Sequence, residues 1–171
     1  MTDDEYLQQL NLVEYIKNFN VHFTLLLRRY KRFKEIDSAQ NHDIEVITYL
    51  DMIIVQLRAM CIENERYKNN YTAQILLRKV NENDLADKID AMLKEDFYDG
   101  SLQVDIRTAL KILVDEFICH YDNFDGENLH RLSLADIFMN YLRNPYYEHN
   151  LDYIMKVLID CIGEGLTIKG V

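Results

Sequence analysis

The sequence predicts an all-α protein, an antiparallel bundle of about four long helices with short helices inserted between them. One Pro and five Gly in 171 residues leave few sharp turns, which suits long helices better than many short strands. Apolar residues also recur at spacings of three and four over long segments, as they do in helices with one buried face. The length favours one helical domain over residues 1–171.

Start and stop signals locate the individual helices. Thr2 and Glu5 have capping-box spacing, as do Ser133 and Asp136, and Asn144-Pro145 is a helix stop. The tail GEGLTIKG after residue 162 reads as frayed or strand-like. The predicted helices span about 3–36, 43–67, 101–121, 133–142 and 147–162, with short ones near 73–80 and 85–93.

The apolar spacing also predicts which faces form the core. A continuous stripe along 101–121 predicts a buried helix that ends in the segment EFICHYDNFDGENLH. The predicted core positions are Tyr6, Leu10, Val13, Ile16 or Lys17, Phe19 or Asn20, Phe23 and Leu27 in the first helix, Ile44, Ile47, Leu50 or Asp51, Ile54, Leu57 and Met60 or Cys61 in the second, and Leu102, Ile106, Leu110, Leu113 and Phe117 in the stripe.

Cysteine usage and the N-terminus predict a cytoplasmic, soluble protein. Cys61, Cys119 and Cys161 lie far apart and form no C-x-x-C pair, so we expect reduced, buried thiols. The acidic start MTDDEYLQQL lacks the basic and apolar parts of a secretory signal. The longest aliphatic run, MIIV, is too short to span a bilayer, so no membrane partner is predicted.

A basic segment stands out in an acidic chain. The net charge of −10 argues against broad nucleic-acid binding. RRYKRFK nevertheless carries Arg28, Arg29, Lys31 and Arg32 beside aromatic residues. These four residues form a candidate RNA-binding strip. The alternative is that they are the solvated last turns of the first helix, where cations suit the negative end of the helix dipole.

The segment 116–130 concentrates histidines and acids, which raises the question of a metal site. An EF-hand loop with Gly126 at its sixth position would need a ligand where Tyr121 stands. Glu127-x-x-His130 is one E-x-x-H pair, whereas a di-iron bundle needs two. Zinc would lack a well-placed thiolate. The sequence therefore predicts no metal and no cofactor.

An acid–base role for His120 fits the segment better. Glu116 lies four residues earlier, on the same face of a helix, where it can orient the imidazole. The C-terminal end of a helix also favours the protonated ring. The alternative is a histidine that only caps the last carbonyl groups of the helix.

The stretch VDEFICHYDNF resembles the motif region of HEPN domains, especially their abortive-infection branch. There, an arginine, a polar residue and a short apolar segment precede a histidine, which is followed by an aromatic or basic residue and Asp. The resemblance spans about 44–125, with a HEPN-like core of about 44–163. It implies a helical bundle, a homodimer whose two motifs share a cleft, and metal-independent RNase activity using the histidine and the arginine.

The motif departs from the family at the arginine, because Leu113, Val114 and Asp115 occupy its place. Arg107, seven residues before Val114, projects within about 20° of the same direction but roughly 10 Å further back. In an active enzyme, the resemblance implies that His120 transfers protons and that Glu116 and Asp122 orient it. Arg107 or the strip from Arg28 to Lys34 would then hold RNA phosphates.

Two functions follow as expectations. The first is a HEPN-like protein of toxin–antitoxin or phage-defence type, either a degenerate RNase or one with a relocated arginine; if active, it is a metal-independent endoribonuclease. The second is an acidic helical module that acts as an antitoxin, inhibitor or scaffold by binding a cognate protein. The acidic stretch DKIDAMLKEDFYD, within 84–99, is the candidate surface for this second function, with ordinary solvated helix surface as its alternative.

Overall fold

A computed structural model describes residues 3–37, 44–62, 72–97, 104–118 and 128–168. The chain divides into two compact units, Met1–Asn83 and Asp84–Val171. Across the described ranges the regular structure is helical, with one isolated antiparallel bridge between Asp96 and Asp105. The all-α class is confirmed. The single domain and the antiparallel bundle arrangement stay predictions.

The first unit contains three helices: α1 (Asp3–Ile36), α2 (Ile44–Cys61) and α3 (Ala73–Lys79). Contacts near both ends of α2 set its direction against α1. Arg32 pairs with Glu45, and buried Gln56 donates to the carbonyl of His22. Because the later residue of α1 meets the earlier residue of α2, the two helices run antiparallel.

Helix α3 packs near the first half of α1. Its N-cap is Thr72, whose side chain accepts a hydrogen bond from the backbone N–H of Ile75, which satisfies one of the unpaired donors at a helix start. The hydroxyl of Tyr15 donates to the carbonyl of Thr72 at 3.2 Å. The ammonium of Lys79 lies 5.4 Å from the centre of the Tyr15 ring. Tyr15 therefore contacts both ends of this short helix.

The core faces of α1 and α2 are partly rotated from the predicted ones. Val13 is 62% exposed and Ile44 is 80% exposed, although both were predicted to be buried. Ile47 is also exposed. In α2 the reason is that aliphatic residues lie on several sides of the helix, so more than one set of them has helical spacing and could form the core. The stripe that packs contains Val46, Leu50, Ile53, Ile54, Leu57 and Met60.

The second unit contains α4 (Asn83–Met92), α5 (Ile106–Ile112), α6 (Asn128–Arg143) and α7 (Leu151–Ile168). Phe97 is fully buried in it. The Phe97 ring meets the edge of Phe138 at 5.3 Å between centroids and lies 5.1 Å from Tyr141. The backbone N–H of Phe97 donates to the carbonyl oxygen of Val104 at 2.7 Å. This bond brings the chain before α5 beside the aromatic cluster.

The stripe predicted as one helix over 101–121 is different in the structure. Helix α5 begins at Ile106, and its N-cap is Asp105, whose carboxylate accepts from the N–H of Thr108 at 2.7 Å. Residues 98–103, including the predicted start, lie outside the described residues. From Leu113 to Ile118 the chain continues as a π-helix, so the stripe is not one uninterrupted α-helix.

The last helices also differ at their ends. Helix α6 starts at Asn128, earlier than predicted, and ends at Arg143 before Asn144-Pro145, as predicted. Helix α7 starts at Leu151, after Asn150 accepts a hydrogen bond from the N–H of Tyr153 at 3.0 Å. It continues to Ile168 through the segment predicted as a tail.

Two further predictions bear on the class of protein. Cys61 and Cys161 are buried thiols, as predicted, and Cys119 lies outside the described residues. No helix in the described ranges combines the length and the hydropathy that crossing a bilayer requires.

Candidate functional site

The π-helix leads directly into the candidate catalytic segment. Its last residue is Ile118, two positions before His120 in the chain. His120, Asp122 and the side chain of Glu116 lie outside the described residues. A π-helix is closed by i→i+5 hydrogen bonds and so holds more residues per turn than an α-helix. The α-helical spacing used to place Glu116 and His120 on one face therefore does not apply over 113–118.

The positions that the HEPN motif gives to arginine are partly buried in this chain. Leu113 is fully buried and Val114 is 4% exposed, whereas Asp115 is exposed. A guanidinium at either buried position would lose its hydration, a large cost without a charged partner. Apolar residues at positions 113 and 114 thus suit the packing of the second unit.

Arg107, the candidate replacement for that arginine, makes an ion pair. Its Nη2 lies 3.4 Å from Oδ1 of Asp90 on α4, and both side chains are about one-third exposed. The Nε of Arg107 is buried, with no hydrogen-bond partner among the described atoms. The guanidinium therefore points to α4. A role for it in binding RNA phosphate stays a prediction.

The basic strip separates into two kinds of residue. Arg29 is half-buried, and its Nη1 donates to Oε1 of Gln56 at 2.8 Å, which joins α1 to α2. Arg32 lies 3.0 Å from Glu45 and 3.5 Å from Glu35. The hydrogen bond to Glu45 is the main reason that the pKa of Arg32 is raised. Both cations contribute to contacts within the first unit.

Arg28 and Lys31, the other two strip residues, are exposed. Neither has an ion pair among the contacts that the structure describes. They lie on the outward side of α1, since the buried residues Leu26 and Phe33 define its core side. Of the four cations in the strip, three are exposed, and two of these, Arg28 and Lys31, have no ion pair among the described contacts.

A polar cluster that the sequence pattern does not predict lies in the second unit and is formed by Glu95, His149 and Tyr153. The Tyr153 hydroxyl donates to Oε2 of Glu95 at 2.6 Å. The Nε2 of His149 lies 3.1 Å from the same oxygen. The Nδ1 of His149 lies 2.6 Å from the carbonyl oxygen of Asp96. These contacts hold the connection between α6 and α7 against the segment that follows α4.

The partners in this cluster fix the donor roles of His149 Nδ1 and of the Tyr153 hydroxyl. A carbonyl oxygen only accepts, so Nδ1 of His149 donates to Asp96. Burial, followed by the bond to Glu95, raises the pKa of Tyr153 to about 12, so the phenol is a neutral donor near pH 7. Sequence offers no signal for the cluster, because Glu95 and Tyr153 are 58 positions apart.

Metal chemistry finds no support in the described part of the chain, where no group of three or more His, Cys, Asp or Glu residues is placed to hold an ion. His130 falls in the range whose side chains the structure does not describe. The prediction of no metal and no cofactor stays a prediction.

Comparisons with known proteins add no relative. No protein-family model matches this chain. No curated protein and no solved structure matches it significantly. The HEPN likeness therefore rests on the sequence motif.

Proposed function

We propose that this chain is a HEPN-like helical protein of toxin–antitoxin or phage-defence type, and that it cleaves RNA without a metal through His120. The observation that carries the proposal is the π-helix Leu113–Ile118, which ends two residues before that histidine. π-helices are rare and occur frequently at functional sites, where they redirect side chains that an α-helix would place elsewhere.

The packing of the π-helix supports a functional reason for it. Leu113 and Val114 are buried in the second unit, so the wide turn is set in a packed part of the protein. A fully α-helical continuation would keep the apolar stripe and its regular hydrogen bonds. The wide turn alters the direction in which the following residues leave the helix, and these include the residues of the HEPN-like motif.

The chemistry requires a base and a cation. RNA cleavage without a metal removes the proton of the 2′-hydroxyl and stabilises the negative charge that develops on the phosphate. His120 takes the first role in the proposal. Arg28 and Lys31 are exposed cations of the predicted strip without an ion pair among the described contacts, and Arg107, paired with Asp90, is the third candidate. A homodimer is part of the proposal because the HEPN likeness implies one.

The test compares three purified proteins on mixed RNA in the presence of EDTA. Wild type should cleave, and His120→Ala should lose at least about a hundredfold in rate, as expected for loss of a general acid–base group. His22→Ala is the matched control, because His22 is exposed on α1, in the other unit. Equal activity of wild type and His120→Ala, including no activity in either, refutes the ribonuclease.

A second candidate is an acidic module that binds a cognate protein. The observation that favours it is that Arg107 and Arg32 are each paired with carboxylates, while Asp84 and Asp96 are exposed around α4. Such a surface can present carboxylates where a basic protein expects phosphates.

The second candidate is tested with a basic nucleic-acid-binding protein as the probe. Wild type should bind it in a salt-dependent way, and Asp84→Asn with Asp96→Asn should weaken binding more than the control pair Asp136→Asn and Asp160→Asn, which are exposed on α6 and α7. Binding that is unchanged by the first pair and by salt rejects the acidic surface.

A further inference from the structure

Helix α1 has an outward face on which two apolar residues lie between charged ones. Glu14, Val21 and Arg28 are seven residues apart, so they lie in line to within about 20° per step on an α-helix. All three are exposed, and Val21 is 62% exposed. Leu25, one turn after Val21, is an exposed large hydrophobic residue, and Lys17, one turn before it, is exposed too. We call these five residues the α1 face.

The α1 face lies away from the core of the first unit. Among the described side chains of α1, the buried ones are Ile16, Phe19, Leu26 and Phe33. They point to the opposite side of the helix. Arg29, on the edge between the two sides, is bonded to Gln56 of α2. Arg32, one turn after Arg28 and on the same side as the α1 face, is bonded to Glu45 of α2. The attachment of α1 to α2 thus leaves this side of the helix outward from Glu14 to Arg28 and meets it only beyond, at Arg32.

The charge along α1 is polarised. Apart from Glu35, its acids lie in the first half, at Asp3, Asp4, Glu5 and Glu14; apart from Lys17, its cations lie in the second half, at Arg28, Arg29, Lys31, Arg32 and Lys34. Two parallel copies of this helix would place like charges together. Two antiparallel copies would place the acidic half of each against the basic half of the other.

We propose that the α1 face binds the α1 face of a second copy of this chain, antiparallel and centred on Val21. Positions 14 and 28 are equally far from 21, so a twofold axis at Val21 brings Glu14 of each copy to Arg28 of the other. The same register brings Lys17 to Leu25, where the aliphatic stem of the lysine covers the leucine. The two valines meet at the axis, as a self-complementary interface requires.

This interface is argued from α1 alone and does not depend on ribonuclease activity. A second copy is the occupant that the pattern fits, because one register satisfies both charges and both apolar residues. The surface also differs from a cleft built at His120. The HEPN likeness implies a dimer of its own, so the two interfaces are distinguished by the response of self-association to variants on α1, and not by self-association alone.

The test measures self-association of the full chain by sedimentation equilibrium. Wild type should dimerise. Arg28→Glu and Glu14→Arg should each raise the dimer dissociation constant about tenfold or more, since each change replaces two attractive pairs with two repulsive ones. Val21→Glu, which sets like charges at the axis, should do the same. Lys111→Glu and Glu164→Arg, exposed in the second unit, are the matched controls and should leave the constant unchanged.

Exchanging the charges at positions 14 and 28 tests whether Glu14 of one copy pairs with Arg28 of the other. The double variant Glu14→Arg with Arg28→Glu should regain the wild-type constant, because both pairs reform with reversed polarity. An equimolar mixture of the two single variants should form a heterodimer in preference to either homodimer. A monomeric wild type, single variants that dimerise as wild type does, or a double variant that stays as weak as the single ones would each overturn the proposal. Circular dichroism verifies that every variant is folded.

Discussion

Tyr153 of α7 and Glu95 after α4 are joined by a 2.6 Å hydrogen bond, although 58 positions separate them in the chain. The acceptor oxygen is the one that also faces His149. One carboxylate therefore holds the start of the last helix and the connection before it. Because the bond connects distant segments of the second unit, its loss should affect the stability of that unit as a whole.

Replacement of Tyr153 by Phe tests this bond. The change keeps the ring and removes the hydroxyl, so it should lower the free energy of unfolding by about 1–2 kcal/mol, as for a partly exposed hydrogen bond to a charged group. Urea denaturation followed by circular dichroism measures the difference. Tyr146→Phe is the control, because Tyr146 is 93% exposed. Equal losses in the two variants would show that the Tyr153 bond contributes nothing specific.

Asp51 predicts a pH dependence in the first unit. It is half-buried on α2, one of its carboxylate oxygens is buried with no hydrogen-bond partner among the described atoms, and burial raises its pKa from 3.8 to about 6. The folded protein thus binds this proton more tightly than the unfolded chain. The stability due to Asp51 is fully present below pH 3.8 and is lost as the pH rises through about 6.

Asp51→Asn removes this titration. The variant should be as stable as wild type below pH 3.8 and more stable by about 1 kcal/mol above pH 6. This gain in stability is smaller than the shift in the pKa of Asp51 alone would give, because the carboxylate is partly exposed to solvent. Denaturation midpoints across this pH range measure it, with Asp136→Asn as the control on an exposed acid. A constant difference between Asp51→Asn and wild type at all pH values would contradict the burial of the charge.

Asp105 sets the start of α5 and gives a third prediction. Its carboxylate accepts from the N–H of Thr108 at 2.7 Å, so Asp105→Ala should cost about 1 kcal/mol of stability through the lost N-cap. Asp105→Asn keeps an oxygen acceptor and should cost only a few tenths of a kcal/mol. Thermal or urea unfolding distinguishes the two. If Asn and Ala are equally destabilising, the loss arises from the charge and not from the cap.

The fold could be predicted where local signals act alone. The length of α1 and the end of α6 before Asn144-Pro145 follow from apolar spacing and from the conformational limits of proline. The extension of α7 through Gly163 and Gly165 could not. Glycine is a poor helix former. The end of α7 stays helical where Gly165 is buried, and the spacing of residues along the sequence does not reveal this packing.

The candidate site could be predicted less well, because its geometry depends on packing. The stripe Ile106, Leu110, Leu113 fits an α-helix, and nothing in it signals the wide turn that begins at Leu113. The ion pair between Arg107 and Asp90 likewise joins two helices. A pattern along one helix contains no information about contacts between helices, so the sequence predicts a role for Arg107 in binding RNA phosphate and gives no sign of the neighbouring Asp90.

A one-residue insertion tests whether the π-helix orients the candidate catalytic segment. Asp115 is exposed within Leu113–Ile118, and an alanine inserted after it would rotate the following residues by about 100°. We expect the insertion variant to keep its helical circular dichroism and to lose at least about a hundredfold in RNA cleavage, as His120→Ala does. Deletion of Asp115 is the control, because removal of one residue allows the wide turn to close as an α-helical one and leaves the direction of the following residues nearly unchanged, so cleavage should be retained. A folded insertion variant that cleaves RNA at the wild-type rate would mean that the helix has no part in positioning His120.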